Sequence, residues 1–295
     1  MDLETKKQKK IATQISAVSI IANVVLSVFK LVAGIVGKSG AMISDAVHSA
    51  SDVVSTVVVL IGVHLSSKEA DKEHPYGHER LECVAAIVLS VILFATGAGI
   101  GIKGVQTLVA GVTHAQATPG FLALLAAIVS IAVKESMYWF TIIAAKKINS
   151  SALKADAWHH RSDSLSSIGA LIGIIGARMG YPVLDSVASV VIALFVMKAA
   201  FDIFKDAVNK MVDQSCDDKT EESMKELILS QENVLGLTSL QTRLFGSRIY
   251  VDAEIEADGN LTLTKAHEIA ENVHDAIERE FVLVKHCMVH VNPKT

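Results

Sequence analysis

Residues 41–65 read AMISDAVHSASDVVSTVVVLIGVHL. The stretch is long enough to cross a bilayer, for which about 20 mostly apolar residues suffice. Yet its first half holds Asp45, His48 and Asp52. Residues at i, i+3 and i+7 share one face of an α-helix. The span therefore reads as apolar around most of its circumference, with two carboxylates and an imidazole on one side. An Asp at membrane depth costs at least about 2.5 kcal/mol on insertion scales, so such groups face other helices and mark function.

A second stretch repeats the pattern. Residues 156–163 are Asp-Ala-Trp-His-His-Arg-Ser-Asp, again D-A-x-H-x-x-x-D. Six runs are apolar enough to predict spans, at roughly 12–36, 41–65, 82–108, 119–145, 153–179 and 183–209. Turn chemistry separates them: Gly37–Gly40, the polar run Ser66–Arg80, Gly111–Gly120, Ile148–Ser151 and Gly180–Pro182. Of the 295 residues 51% are hydrophobic, and the apolar runs are confined to 1–215. Residues 216–295, rich in Glu, Asp, Lys and His, read as a soluble domain. The expected architecture is a membrane all-α six-helix bundle followed by a small α+β cytoplasmic domain. The expected divisions are an N-terminal tail 1–11, a transport domain 12–211 and a metal-sensing and dimerisation domain 212–295.

Positive charge predicts orientation. Lys6, Lys7, Lys9 and Lys10 precede the first span; Lys68, Lys72 and Arg80 follow the second; Lys146, Lys147 and Lys154 follow the fourth. The opposite loops hold only Lys38 and Arg178. Both termini are therefore expected in the cytoplasm, in a bacterial inner or plasma membrane. No cleavable signal peptide is evident. A net charge of −4 argues against nucleic acid as a partner. Cys83, Cys216 and Cys287 are widely separated, which predicts free thiols rather than a disulfide or thiolate metal site. The chain holds no H-E-x-x-H, G-x-S-x-G or phosphate-binding glycine loop, so an enzyme is not expected.

Two facing octads need a partner, and a divalent cation supplies one. His48, Asp52, His159 and Asp163 offer two nitrogens and two oxygens, a tetrahedral set that suits Zn2+. Asp45 and Asp156, one turn away, read as acceptors behind the ligands or as pathway groups. His160 points about 100° away and is left out of the set. In the polar run after the second span, Asp71, His74 and His78 have ligand types and spacing able to hold zinc, with Glu82 one turn on as a fourth ligand or a helix-start carboxylate.

With these residues the chain resembles the cation diffusion facilitator family over nearly its whole length. The octads, the His74-Pro-Tyr-Gly-His78 stretch, Lys134–Glu135, Ala266–His267 and Met288-Val-His290 carry the resemblance. It implies a homodimer whose protomers each export a metal ion in exchange for protons. It also implies zinc ahead of manganese, cadmium, cobalt or iron, from the His/Asp pairing. A metal site at Asp71, His74 and His78 is implied as well. The family's tail has a ferredoxin-like fold, which fits strands expected at 235–244, 248–257 and 285–292 and helices at 221–230 and 263–280. Asp252, Glu254, His267 and His290 become candidate tail ligands, with His274 and His286 behind them. The chain departs from zinc-exporting relatives at Glu254, where they carry His, and at Asn292, where a carboxylate is common. Arg80 and Asp213 occupy positions resembling a charge pair that locks the family's membrane halves.

The expected mechanism is alternating access. Zinc binds neutral imidazole and ionised carboxylate, so loading releases protons and a more acidic outside reprotonates a His of ordinary pKa, about 6.5. Zinc in the tail is expected to bias the transporter by favouring a closed dimer. The alternative is a membrane scaffold that recruits partners through its tail and moves no metal.

Overall fold

The computed structural model of the chain describes residues 3–36, 40–110, 121–178 and 183–294. The turns expected at 37–39, 111–120 and 180–182, Lys38 included, lie outside the described residues. Within them, long helices run in succession: α1 (Leu3–Val36), α2 (Gly40–Ser66), α3 (Arg80–Ala110), α4 (Phe121–Lys147), α5 (Ser151–Arg178) and α6 (Val183–Met211). α1 starts at Leu3 rather than near residue 12. Its Lys- and Gln-rich opening is made of good helix formers, so the helix continues through it.

Three stretches among the described residues are long and apolar enough to cross a membrane: Lys7–Ala33, Arg80–Ala110 and Ile128–Lys147. A shorter apolar stretch, Asp52–Ser66, lies in α2. The six expected crossings exceed these three. α2 and α5 carry the charged octads, which lower the apolarity on which such a reading depends.

The packing inverts that of a water-soluble protein. On α1, Ser16, Ser19, Asn23 and Lys30 are buried, while Ile21, Val25, Val28, Val32 and Ile35 are exposed. Lys30 donates to the Ser49 hydroxyl at 2.9 Å, and the Ser27 hydroxyl donates to the Ala46 carbonyl at 2.8 Å. α3 exposes Val88, Val91, Phe94, Ile102 and Val105 in the same way. A surface this apolar with polar groups turned inward belongs in lipid, where outward apolar groups cost nothing and inward polar ones bind helices together.

α1, α2, α3, α5 and α6 contribute Ile15, Val59, Leu89, Leu93, Leu153, Val196 and Ile203 to one buried cluster. Small residues allow close approach. A Cβ added at Gly62 of α2 would overlap the Ala85 side chain of α3. One added at Gly97, Gly101 or Gly104 of α3 would meet Val196, Ala193 or Val190 of α6 at 3.0–3.1 Å. Asn149, at φ 52°, ends α4 in the left-handed conformation that Asn tolerates. The Ser150 hydroxyl then accepts from the Leu153 amide at 3.1 Å and starts α5.

The chain divides into two compact units, 1–207 and 208–295. The second holds α7 (Asp218–Leu229), β1 (Gly236–Phe245), β2 (Arg248–Asp258), α8 (Leu263–Glu280) and β3 (Val284–Lys294). Asp217 caps α7 by accepting from the Thr220 amide at 3.0 Å. β1 and β2 pair antiparallel across a two-residue turn in which Gly246 takes φ 63°. β2 and β3 are adjacent and parallel, in the order β1-β2-β3. This is an α+β domain, but its three-stranded mixed sheet departs from the ferredoxin-like expectation. A ferredoxin-like sheet splits its β-α-β units with an intervening strand; in this chain β2-α8-β3 closes directly. Val251, Ile255 and Cys287 pack with Ile269, Val273 and Ile277 of α8 and with Met224 and Ile228 of α7.

Candidate metal centre

α2 and α5 pack so that the second halves of the octads meet. The carboxylates of Asp52 and Asp163 and the His159 imidazole are all buried, and donor atoms from the three lie within 4.8 Å of one another. His159 Nε2 is 3.3 Å from Asp52 Oδ1 and 4.0 Å from Asp163 Oδ2. Two oxygens and a nitrogen converging from two helices are a donor set for a divalent cation. The side chains of Asp45 and His48 lie outside the described residues, so three of the four expected ligands are described.

α4 adds a group that the sequence reading gave no role. The Lys134 ammonium donates to Asp52 Oδ2 at 2.5 Å and to Asp163 Oδ2 at 2.9 Å. At 2% exposure it is among the largest fully buried side chains. The signal was available: a lysine in mid-span is as costly as the aspartates and must find an anion. Its neighbour Glu135 fixes α4 against α5. It accepts from Trp139 Nε1 at 3.1 Å and from the Ser164 hydroxyl at 3.0 Å, and it lies 3.6 Å from Arg161. The Arg161 guanidinium in turn stacks 4.3 Å over the Tyr138 ring.

Asp156 is fully buried and belongs to a separate group. Its Oδ1 accepts from the Thr56 hydroxyl of α2 at 3.1 Å, and its Oδ2 lies 3.5 Å from His160 Nε2. No hydrogen bond joins it to His159 among the described residues, so it does not orient that imidazole directly. His160 is fully buried with both ring nitrogens lacking a hydrogen-bond partner. It lies beside Asp156 and is not among the three converging donors.

The loop between α2 and α3 also gathers its residues. Asp71 organises it: Oδ1 accepts from the amides of His74 at 2.8 Å and Glu73 at 3.1 Å. His74 Nδ1 lies 3.3 Å from Asp71 Oδ1, and His78 Nε2 lies 3.5 Å from Asp71 Oδ2. The two imidazole centroids are 4.4 Å apart. Gly77, at φ 101°, makes the turn that returns His78 to Asp71, a backbone conformation that glycine alone adopts freely. The Lys68 ammonium, 2.7 Å from Asp71 Oδ2, together with the His74 amide, holds the Asp71 carboxyl well below the usual carboxylate range. Asp71, His74 and His78 are the second described group able to hold a metal, and Glu82 is not part of it.

The tail candidates divide between the two faces of the sheet. Glu254 and His290 are register partners on β2 and β3, and Asp252 stands two residues from Glu254 on the same sheet face. α8 covers the opposite face, where Val251 and Ile255 point. Its His267 is exposed and lies 3.5 Å from Glu271. His274 Nδ1 is 2.7 Å from the Cys287 carbonyl oxygen. Asn292 donates to Glu254 at 3.4 Å. All three cysteines are buried. Arg80 opens α3 and Asp213 follows α6, in separate units.

Inverted polarity and buried acceptors around a cation position define a multi-pass membrane protein built to handle positive charge. Residues 16–212 match the cation efflux transmembrane domain, and residues 216–294 match the cytoplasmic domain of cation efflux proteins. The manganese efflux system protein MneP of Bacillus subtilis is 31% identical over 97% of this chain and 98% of its own. Metal tolerance protein 2 of Oryza sativa subsp. japonica is 35% identical over 92% of this chain and 75% of its own. The magnetosome protein MamB of Magnetospira sp. (strain QH-2) is 31% identical over 92% of each chain. The chain belongs to the cation diffusion facilitator family. It is thus a divalent metal cation efflux protein and a transporter rather than an enzyme.

Proposed function

We propose that the chain exports a divalent metal ion through Asp52, His159 and Asp163, with His48 as the fourth ligand, by alternating access coupled to protons moving the other way. The convergence of three buried donors from α2 and α5 carries this reading. Six crossings, cytoplasmic termini and a homodimer joined through the tail complete it, with zinc as the first cargo because a mixed His/Asp set suits it. Asp71, His74 and His78 form a cytoplasmic-side metal site. Asp252, Glu254 and His290 form the open face on which two tails share a regulatory ion, and His267, on α8 across the sheet, takes no part in it.

Manganese is the second reading. The described donors are two carboxylates and one imidazole, harder than a two-histidine set, and relatives are named for manganese efflux. The test is uptake of zinc and manganese into proteoliposomes of the purified full chain under an imposed pH gradient, with the two metals in competition. Metal uptake that dissipates the gradient and is lost in Asp52→Asn and His159→Ala supports the proposal. Full uptake in both variants defeats the ligand assignment. A tail that assembles partners while no metal moves would favour the scaffold reading.

A further inference from the structure

The lysine from α4 has a consequence for how the site works. Its ammonium lies between the Oδ2 atoms of Asp52 and Asp163, bridging α2 and α5. A metal ion bound to these carboxylates sits about 2.0–2.2 Å from oxygen. An ammonium hydrogen-bonded to the same two oxygens occupies that space, and two like charges there repel strongly. The lysine is held on a rigid helix, since Glu135 on the next residue is clamped to Ser164 and Arg161 of α5. Its own four-carbon stem remains a flexible arm.

We propose that Lys134 is a tethered counter-cation of the transport site, which an incoming divalent metal must displace. This rests on the reading of Asp52, His159 and Asp163 as that site. Between loadings the lysine neutralises carboxylates that would otherwise stand unpaired in a low-dielectric interior. It also sets a charge threshold. A monovalent ion that replaces a tethered monovalent cation gains no attraction and loses its hydration. A dication gains attraction to both carboxylates. Lys134 thereby selects for double charge and weakens binding enough for release.

The test uses the purified full chain and titrates Zn2+ and Mn2+ against wild type, Lys134→Met, Lys134→Arg and Asp52→Asn by calorimetry, with Na+ as competitor. Lys134→Met is expected to tighten the apparent Kd by about tenfold or more, a modest part of the repulsion between such close charges. It should also let Na+ compete where wild type does not, while Lys134→Arg keeps affinity at or below the wild-type level. Damage to the fold weakens binding, so a gain in affinity is not a structural side effect. If Lys134→Met does not assemble, Lys134→Gln, which keeps a donor, carries the same comparison. Unchanged or weaker binding in the neutral variant, with binding lost in Asp52→Asn, overturns the counter-cation and leaves the transport site standing. Unchanged binding in Asp52→Asn overturns the site itself, and the counter-cation with it.

Discussion

Two aspartates in one membrane-spanning unit have different fates. Asp52 faces His159 and Lys134, whereas Asp156 accepts from Thr56 and lies beside His160. Asp163→Asn keeps the shape of its side chain but removes a charge from the cluster. Metal affinity of the full chain, measured by calorimetry, should fall about 10- to 100-fold or more, since even residues behind metal ligands cost that much. Thr56→Val should leave affinity near wild type. It should lower stability by about 0.6 kcal/mol, and at most about 1.7 kcal/mol, the range for hydrogen bonds between membrane helices. Thermal unfolding in detergent measures it, and a loss of metal binding instead would place Asp156 in the cluster. In the tail, burial and then the nearby charges of Glu278 and Asp252 push the Cys287 thiol up to about 12. A raised thiol pKa favours the protonated form in the folded state. Its contribution is whole below the ordinary value of about 8.5 and is lost as pH rises toward about 12. The native protein should therefore resist maleimide near neutral pH and react only after denaturation, which mass spectrometry of the labelled chain would show.

At the scale of elements, function depends on how closely helices approach. α2 carries Asp52, and its Gly62 faces Ala85 of α3 with no room for a further methyl group. Gly62→Val should push α2 from α3 at a cost of about 1–3 kcal/mol. Retention of wild-type melting behaviour in detergent would show that the contact is not held. The loop between α2 and α3 is organised by Asp71, whose folded pKa is depressed. Its contribution is present above about pH 4 and fades only below the ordinary carboxylate range. Amide exchange in residues 68–78 should therefore stay protected at mildly acid pH in wild type and rise in Asp71→Asn. Equal exchange in the two would mean that other contacts hold the turn. The two metal-capable groups among the described residues share one arrangement: a lysine, Lys68 or Lys134, rests on the carboxylate that a metal would use.

Across the whole molecule, helix positions and the partition into a helical membrane unit and an α+β tail were legible from residues 41–65 and their counterparts. Hydrophobic length, the 3.6-residue period and turn chemistry act within one segment, so one segment suffices to read them. The octad spacing put His159 and Asp163 on one face of α5 and Asp52 on one face of α2, whereas the meeting of the two faces is a matter of packing. Three features required chains of contact between distant segments. Lys134 is 82 positions from Asp52 in sequence and meets it only because α4 packs on α5 beside α2. His267 is separated from Asp252 and Glu254 because α8 takes the opposite face of the sheet. The parallel pairing of β2 with β3 joins strands on either side of α8 in the sequence and is visible only in the assembled sheet. The sequence by itself determined which segments are helices and which residue types they bring, because those follow from local periodicity and burial cost. Only the tertiary structure decided which buried charges compensate one another, because electrostatic pairing depends on distance in space and not on distance along the chain.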